Sequence, residues 1–461
     1  MRVLWLCNIV LPSIAKKLHM PESNKEGWLT GISEALLKEG KNKITLGICF
    51  PVQKEMDGIS GSVKAGITAK AEIENVPKNA MDSPVKDTAD IAEEISAQIG
   101  ADIAYYGFYE DTLHPEIYDT SLEERLGRIV EQFKPDVIHV FGTEFPHTLA
   151  MAKVCQNRKR LLISVQGICG ELAKYYTVGL PSGICKRKTF RDWLKRDNII
   201  EQQEKFMLRG ANEKAALMLA GNIAGRTAWD RAVLRKYLET AKYYKWNETL
   251  RSNFYGKNWN MSDCEIYSVF VSQGNYPIKG LHIALRAFPR VLAKYPDAKM
   301  YVAGDKITAY ESLKEKIKIG TYGKYLLELL RQNQLEEHVV FLGRLDAEKM
   351  CERLLKSHVF LSASVLENSS NTVGEAMLLG VPVVSSEVGG VPSLMEGEKE
   401  GLFYPPEDEE ALAGQIVRIF SDEGLADRLS KAGKQRAEKN HDAKTNYERL
   451  LEIYHEINLC V

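Results

Sequence analysis

The stretch VLENSSNTVGEAMLLGVPVVSSEVGG (365–390) places two glutamates, Glu367 and Glu375, eight positions apart with only Asn, Ser, Thr, Val and Gly between them. Before it, the apolar run VFLSAS (359–364) predicts a buried strand. Within it, TVGEAMLLG closes on Gly380 and predicts a short helix, and VPVVSS predicts a second strand. The order of strand, polar turn, helix and strand indicates one unit of a parallel βαβ fold.

The polar turn between the two glutamates has the features of an anion site. A helix that begins directly after such a turn exposes unpaired backbone N–H groups at the positive end of its dipole. Ser370, Asn371 and Thr372 add side-chain donors and are candidate N-caps. Glu375 could accept hydrogen bonds from vicinal hydroxyls such as those of a ribose, and Glu367 could reach a second polyol. The pattern favours a nucleotide-sugar site; an ordinary capped helix is the other interpretation.

Bulk composition excludes several classes of protein. A chain of 461 residues predicts two or three domains, and 61 Lys and Arg against 62 Asp and Glu argue against a nucleic-acid partner. The eight cysteines form no C-x-x-C motif, which favours a reduced, cytoplasmic setting. No uncharged apolar run approaches the length of a membrane span, and we interpret the N-terminal MRVLWLCNIVLP as a first buried strand.

Short apolar strands alternate with amphipathic helices along both halves of the chain. RVLWLCNIV and KITLGICF are examples from the first half, and EIYSVFVSQG and KMYVAGD from the second. We expect an α/β protein with two similar parallel-sheet domains and a cleft at the carboxyl ends of their strands. The expected limits are 1–250 and 251–440, with a final helix in 441–461 that crosses back to the first domain.

Several common ligand motifs are missing from the sequence. G-x-G-x-x-G, G-x-x-x-x-G-K-[ST] and H-E-x-x-H do not occur, so the dinucleotide fingerprint, the P-loop and a zincin site are not indicated. D-x-D, a carboxylate pair that holds a divalent ion in many sugar transferases, is also missing. We therefore expect a site without a bound metal.

The 365–390 stretch resembles the E-x7-E motif of retaining GT-B glycosyltransferases of family four. The resemblance continues through EAMLLGVPVV, VGGVP and GLFYPPEDEEAL, covering 339–455, and PIKGLHIALRAF (277–288) resembles the Lys-Gly segment of that family. It implies a GT-B fold of two Rossmann-like, doubly wound domains, with the acceptor on the first and the nucleotide sugar on the second. It also implies a retaining, metal-independent hexosyl transfer from a UDP- or GDP-linked sugar, with no cofactor.

The resemblance assigns roles to particular residues. Glu375 would hold the ribose, Glu367 the hydroxyls of the transferred sugar, and the turn at 370–372 the diphosphate. Lys279 would neutralise the leaving phosphate, and Glu367 and Lys279 are the implied catalytic pair. A lysine and helix-end N–H groups can replace a metal in stabilising the negative charge that builds on a departing diphosphate.

Three positions depart from the family pattern. An arginine usual in the family five or six residues before the lysine is replaced by Gly274 and Gln273, which we keep in the expected nucleotide-sugar site. Arg226 and Arg344 are candidate substitutes for its charge. On the acceptor side, Gln166 stands where the family often has a histidine.

Other acceptor-side candidates follow from position in the chain. Gly27 is what remains of the paired glycines of the family's first loop, and Glu144 and His147 follow an apolar strand. A hydrogen-bonded loop pair is the alternative interpretation of Glu144 and His147.

Residues 183–210 carry basic residues interleaved with Phe190, Trp193 and Leu194. The stretch could contact an anionic membrane surface or a lipid diphosphate acceptor, or it could be a solvated helix face. The expected partners are a nucleotide sugar and a lipid-linked or saccharide acceptor, and the expected location is cytoplasmic, with peripheral contact at the inner face of the membrane. Synthesis of cell-surface polysaccharide or glycolipid is the expected context.

Two other functions remain open. A nucleotide-sugar epimerase of GT-B form would act without an acceptor, and a non-catalytic nucleotide-sugar or glycan-binding module would bind without turnover. The missing arginine favours the binding module.

Overall fold

The computed structural model describes residues 1–21, 27–39, 44–64 and 102–460. Within them, eight strands form a first sheet in the order β3-β4-β2-β1-β5-β6-β7-β8, and six form a second in the order β11-β10-β9-β12-β13-β14. All neighbouring strands are parallel except β3, which runs antiparallel to β4 at the edge of the first sheet. The expected α/β architecture of two parallel-sheet domains is confirmed.

The strands of the first sheet are β1 (Arg2–Leu6), β2 (Thr45–Val52), β3 (Ser60–Lys64), β4 (Asp102–Tyr109), β5 (Val137–Phe141), β6 (Leu161–Ser164), β7 (Asn222–Gly225) and β8 (Lys242–Lys245). The described helices of this half are Pro12–Lys17, Gly27–Glu39, Ser121–Phe133, Pro146–Val154, Cys169–Tyr175, Ser182–Lys186, Phe190–Lys195, Ile199–Leu219 and Ala228–Leu234. Val3 and Trp5 of β1 pack in the core on one face of the sheet, and Leu4 and Leu6 in the core on the other. A strand buried on both faces is apolar without alternation, which explains the continuous run at the N-terminus.

The strands of the second sheet are β9 (Glu265–Val271), β10 (Lys299–Ala303), β11 (Val339–Gly343), β12 (Ser357–Ser362), β13 (Val383–Ser386) and β14 (Leu402–Tyr404). Its described helices are Leu281–Leu292, Leu313–Lys318, Thr321–Gln332, Ala347–Leu355, Asn371–Leu379, Val391–Leu394, Glu409–Ser421 and Glu423–Asn440. Gly380 ends the helix after β12 with φ of 82°, a left-handed conformation that glycine adopts at little cost.

The last helix, Ala443–Leu459, packs against the first sheet. The hydroxyl of Tyr454 accepts a hydrogen bond from Nε1 of Trp5 at 2.9 Å and contacts Nδ1 of His139 at 2.6 Å. All three side chains are buried, so this helix is fixed to the core of the first sheet.

Two strands have no clear sequence signal. Pairing with β2 and β3 defines β4, which begins at the end of 52–103, a range whose sequence has little hydrophobic periodicity and whose residues 65–101 lie outside the described residues. The strand β8 has only four residues, KYYK, and lies at the sheet edge, where the sequence indicates weak helical spacing instead. Among the described residues, no helix has both the length and the apolar character needed to cross a membrane.

Candidate active site between the two sheets

A cavity of about 1120 Å³ lies between the carboxyl ends of the two sheets. Several lining residues come one to ten positions after a parallel strand, where loops from both sheets converge. From the first sheet these residues are Asn8, Glu144, Gln166 and Arg226, and from the second they are Gln273 and the run Leu366, Glu367, Asn368, Ser369, Ser370, Asn371 and Thr372.

The turn after β12 presents the N-terminus of the helix Asn371–Leu379 to the cavity. Ser370 is the N-cap, and its hydroxyl accepts a hydrogen bond from the backbone N–H of Val373 at 3.4 Å. Asn371 and Thr372 line the cavity beside it. The arrangement can bind an anion, because backbone N–H groups and the helix dipole both favour negative charge there.

Two glycines let neighbouring loops touch this turn. Gly280 has φ of 67°, and a Cβ there would collide with the carbonyl oxygen of Ala363. Gly389 has φ of 52°, and a Cβ there would collide with the carbonyl oxygen of Glu367. The backbone around Glu367 is therefore held from both sides by segments that only glycine allows to approach so closely.

Lys279 and Glu367 form an ion pair at the cavity wall. The hydroxyl of Ser364 donates a second hydrogen bond to Oε1 of Glu367 at 2.7 Å. Burial lowers the pKa of Lys279, but the Glu367 carboxylate and the Tyr276 hydroxyl outweigh burial and raise it above its ordinary value. The lysine is therefore a fixed cation that faces the anion-binding turn.

Glu375 occupies a different environment from Glu367. It is buried, does not line the cavity, and both of its oxygens accept hydrogen bonds from Arg251, from Nε and from Nη2, at 2.7 Å each. Burial raises the pKa of Glu375, although the guanidinium of Arg251 favours its ionised form. A ribose contact by Glu375 stays a prediction, and it requires that Arg251 release or share the carboxylate.

Gly274 and Gln273 lie in different surroundings. A Cβ on Gly274 would come within 2.5 Å of Cδ2 of Leu281, so this position has no room for an unadjusted side chain. Gln273 lines the cavity. Of the two arginines that the sequence left open, Arg344 is exposed and pairs with Asp305 outside the cavity, whereas Arg226 is buried and lines it.

Arg226 reaches from the first sheet to the helix of the second. Its Nη1 donates to Oε2 of Glu248 at 2.6 Å and to Oδ1 of Asn371 at 3.4 Å, and its Nε is buried without a partner. Burial raises the pKa of Glu248, although Arg226 favours its charged form. The guanidinium therefore sits beside the anion-binding turn with one donor unused.

Asn368 joins the two halves at the same place. Its side chain accepts a hydrogen bond from the hydroxyl of Thr227 at 2.8 Å and donates one to the carbonyl oxygen of Gln166 at 2.9 Å. Gln166 lines the cavity and also donates to Glu248 at 3.4 Å. The loops after β6, β7 and β12 thus form one polar network.

Of the residues that the sequence predicts to contact an acceptor, Glu144 lines the cavity. Its Oε1 accepts a hydrogen bond from the backbone N–H of Gly167 at 2.9 Å, and its Oε2 is buried without a partner. His147 does not pair with Glu144; it is buried against Glu110, with Nδ1 at 2.7 Å from the carboxylate. Gly27 begins the helix Gly27–Glu39, and residues 22–26 before it lie outside the described residues.

A second carboxylate lies behind this wall. Glu213 accepts hydrogen bonds from the hydroxyl of Thr143 at 2.6 Å and from the backbone N–H groups of Cys169 and Gly170 at 3.0 and 3.2 Å. Burial nevertheless raises its pKa to about 7. The loops that carry Glu144 and Gln166 are therefore held by a carboxyl group whose pKa lies near neutral pH.

Sequence reasoning missed Arg251, Glu248 and Asn368. Arg251 lies 124 positions from its partner Glu375, and Glu248 joins the cavity network through hydrogen bonds from Gln166, Arg226 and Asn371. Asn368 has the clearest signal in the sequence, because it lies inside the polar turn between the two glutamates.

The second half of the chain also matches a known family. Residues 257–436 match the family Glycosyl transferases group 1. This range contains β9 to β14 and the whole C-terminal wall of the cavity.

Individual relatives point in the same direction. An uncharacterized glycosyltransferase of Methanocaldococcus jannaschii is 27% identical over 40% of this chain and 42% of its own. The N-acetyl-alpha-D-glucosaminyl L-malate synthase of Bacillus anthracis is 20% identical over 74% of this chain and 80% of its own. Four curated relatives, glycosyltransferases among them, are matched over only 39–45% of their own length.

A solved structure extends the likeness to the whole chain. HepE of Anabaena, solved in complex with UDP-glucose, superposes with a TM-score of 0.60 at 16% identity, covering 99% of this chain and 100% of HepE. At this identity the likeness shows the fold, and the fold is GT-B.

Proposed function

We propose that this protein is a retaining glycosyltransferase of the E-x7-E type in family four, which transfers a sugar from a nucleoside-diphosphate sugar to a hydroxyl acceptor. The observation that carries the proposal is the placement of Lys279, the helix N-terminus at 370–372 and Arg226 around one cavity. These groups supply the positive charge that a diphosphate requires, without a dedicated metal or cofactor. Glycosyltransferase relatives and a neighbour solved with UDP-glucose support this assignment.

In the proposed reaction, the bond between C1 of the sugar and the diphosphate oxygen breaks. The acceptor oxygen bonds to C1 from the same face, and the acceptor proton passes to the departing phosphate oxygen. Lys279 and the N–H groups at 370–372 stabilise the negative charge as it develops. Because these donors are already fixed by Glu367, Ser370 and the glycine contacts, little reorganisation is needed when the bond breaks.

We assign the two walls of the cavity to the two substrates. Glu367 faces the hydroxyls of the transferred hexose, Gln273 and the 370–372 turn face the donor, and Glu144 and Gln166 face the acceptor. Assembly of a cell-surface polysaccharide or glycolipid is the context that we propose, because one relative is a putative colanic acid biosynthesis glycosyltransferase of Salmonella typhimurium.

The first test is a thermal-shift panel in EDTA with UDP, GDP, ADP and CDP. A ligand at 100 times its dissociation constant adds roughly 2.7 kcal/mol to the free energy of unfolding. We expect one nucleoside diphosphate to stabilise the protein and Lys279→Ala to reduce its effect, while the exposed Lys294→Ala does not. If none of the four nucleoside diphosphates stabilises the protein, or one does so only with added metal, the proposal is contradicted.

The alternatives give different products from the same nucleotide sugar. An epimerase converts it to an isomeric nucleotide sugar without acceptor, and a binding module leaves it unchanged. Release of the nucleoside diphosphate that depends on acceptor, with the anomeric configuration kept in the product, identifies a retaining transferase.

A further inference from the structure

Outside the cavity, two short helices expose large apolar side chains to solvent. On the helix Phe190–Lys195, Phe190 is 61% exposed, Trp193 67% and Leu194 67%. Their spacing of three and four positions places all three on one face of the helix.

A second short helix continues this surface from the other half of the chain. On the helix Leu313–Lys318, Leu313 is 75% exposed and Ile317 47%, and they are four positions apart. The two helices lie against each other. Their relative position is fixed because the carboxylate of Asp192 accepts a hydrogen bond from the backbone N–H of Thr321, just beyond the second helix, at 2.8 Å.

The opposite faces of the same two helices line the cavity. Arg191 and Asp192 do so from the first helix, and Glu315 and Lys318 from the second. At about 100° per residue, these positions lie on the side of each helix away from the apolar residues. The five apolar side chains therefore point outward, away from the interior of the cleft.

Positive charge is concentrated at the same place. Residues 185–196 contain six Lys and Arg and a single acidic residue, in a chain whose net charge is −1. That acid, Asp192, is buried and paired, whereas Lys195, Arg196 and Lys314 are exposed and have no carboxylate partner among the described residues. Short amphipathic helices that combine an exposed tryptophan with unpaired cations suit the interface of an anionic bilayer.

We propose that Phe190, Trp193, Leu194, Leu313 and Ile317, the two-helix surface, bind the headgroup region of an anionic lipid bilayer. The surface draws on both halves of the chain, so a bilayer bound there lies beside the cavity. The binding itself does not depend on the proposed transferase activity. An acceptor anchored in that bilayer would then lie close to the cavity.

The test is flotation of the full chain with vesicles of phosphatidylcholine alone and of phosphatidylcholine mixed with phosphatidylglycerol. We expect partition into the mixed vesicles, a reduction of about tenfold in W193S/L194S, and a similar reduction in K195E/R196E. Two matched controls should partition like the unchanged protein: L459S, which removes another exposed leucine, and K294E/K439E, which reverses two exposed lysines elsewhere in the chain. All these side chains are exposed, so melting temperatures should stay close to that of the parent.

Three results would overturn the proposal. One is the absence of binding to the mixed vesicles, and another is binding that W193S/L194S leaves unchanged. The third is a concentration-dependent dimer that W193S/L194S abolishes, since the surface would then belong to a second copy of the chain. Nucleotide-induced stabilisation, measured without vesicles, reports on the proposed function separately.

Discussion

The two walls of the cavity are constructed in different ways. On the C-terminal side, the continuous run 366–372 lines the cavity, and its backbone is fixed by a helix cap and by glycine contacts. On the N-terminal side, the lining comes from side chains of several separate loops and helices, Glu144 and Arg226 among them. A backbone turn at a helix N-terminus suits the binding of a group that is common to many substrates, such as a diphosphate. Side chains from separate elements, by contrast, can be substituted one at a time. We infer that the C-terminal wall determines the chemistry and the N-terminal wall the choice of acceptor.

The largest effect should come from the buried pair behind the C-terminal wall. Glu375→Ala leaves the guanidinium of Arg251 without its bidentate partner, and we expect the free energy of unfolding to fall by about 3 kcal/mol. Urea denaturation measures the loss, and adding Arg251→Met to the variant should recover part of it. A loss below about 1 kcal/mol would show that the pair contributes little. Glu375→Gln, which keeps one acceptor for Arg251, is therefore the better variant for testing a ribose contact.

The second prediction tests whether the C-terminal wall carries the chemistry. Lys279→Ala should reduce turnover by about 10²–10³, because a fixed cation no longer stabilises the departing phosphate. Initial rates at saturating donor measure the effect, with Lys294→Ala, an exposed lysine outside the cavity, as the control. Equal activity of Lys279→Ala and the control would remove Lys279 from the mechanism.

Elements with a local sequence pattern could be predicted, whereas elements that depend on pairing with distant strands could not. The strand, turn and helix at 357–379 follow from the local sequence pattern. The elements β4 and β8 could not be predicted with the same ease, because pairing with neighbouring strands, and not their own periodicity, defines them.

The site residues divide in the same way, into those that are neighbours in sequence and those that long-range contacts bring together. The polar turn at 368–372 could be located because its members are adjacent in sequence. The pairing of Arg251 with Glu375, and the contact of Arg226 with Asn371, join residues more than a hundred positions apart. A single sequence contains no signal for such contacts, so it suggested Arg226 and Arg344 equally and could not choose between them.

The third prediction concerns pH and the N-terminal wall. The pKa of Glu213 is about 7, raised from an ordinary value near 4.5, so the native state holds a proton that the unfolded chain releases. The free energy of unfolding is therefore greatest below pH 4.5 on account of this group and falls as the pH rises through 7, by on the order of 3 kcal/mol. Glu213→Gln should flatten that part of the profile. A wild-type profile that does not differ from that of the variant between pH 5 and 8 would contradict the assignment.

The fourth prediction asks whether the N-terminal half also contributes to donor binding. Arg226→Gln should weaken nucleoside-diphosphate binding by about tenfold, because the guanidinium beside Asn371 offers a charge-assisted hydrogen bond to the phosphates. Isothermal titration calorimetry measures the dissociation constant, with Arg344→Gln as the control arginine outside the cavity. Unchanged affinity in Arg226→Gln would restrict donor binding to the C-terminal wall.

The smallest effect should distinguish the two walls most clearly. Glu144→Gln keeps an oxygen that can accept from the backbone N–H of Gly167, and it removes the charge of a carboxylate that lines the cavity. We expect the KM for an acceptor found by screening to rise about fivefold, the worth of one hydrogen bond, while the dissociation constant of the nucleoside diphosphate stays the same. If the dissociation constant changed and the acceptor KM did not, Glu144 would belong to the donor side. The inference that a backbone turn binds the donor and that separate side chains bind the acceptor would then be wrong.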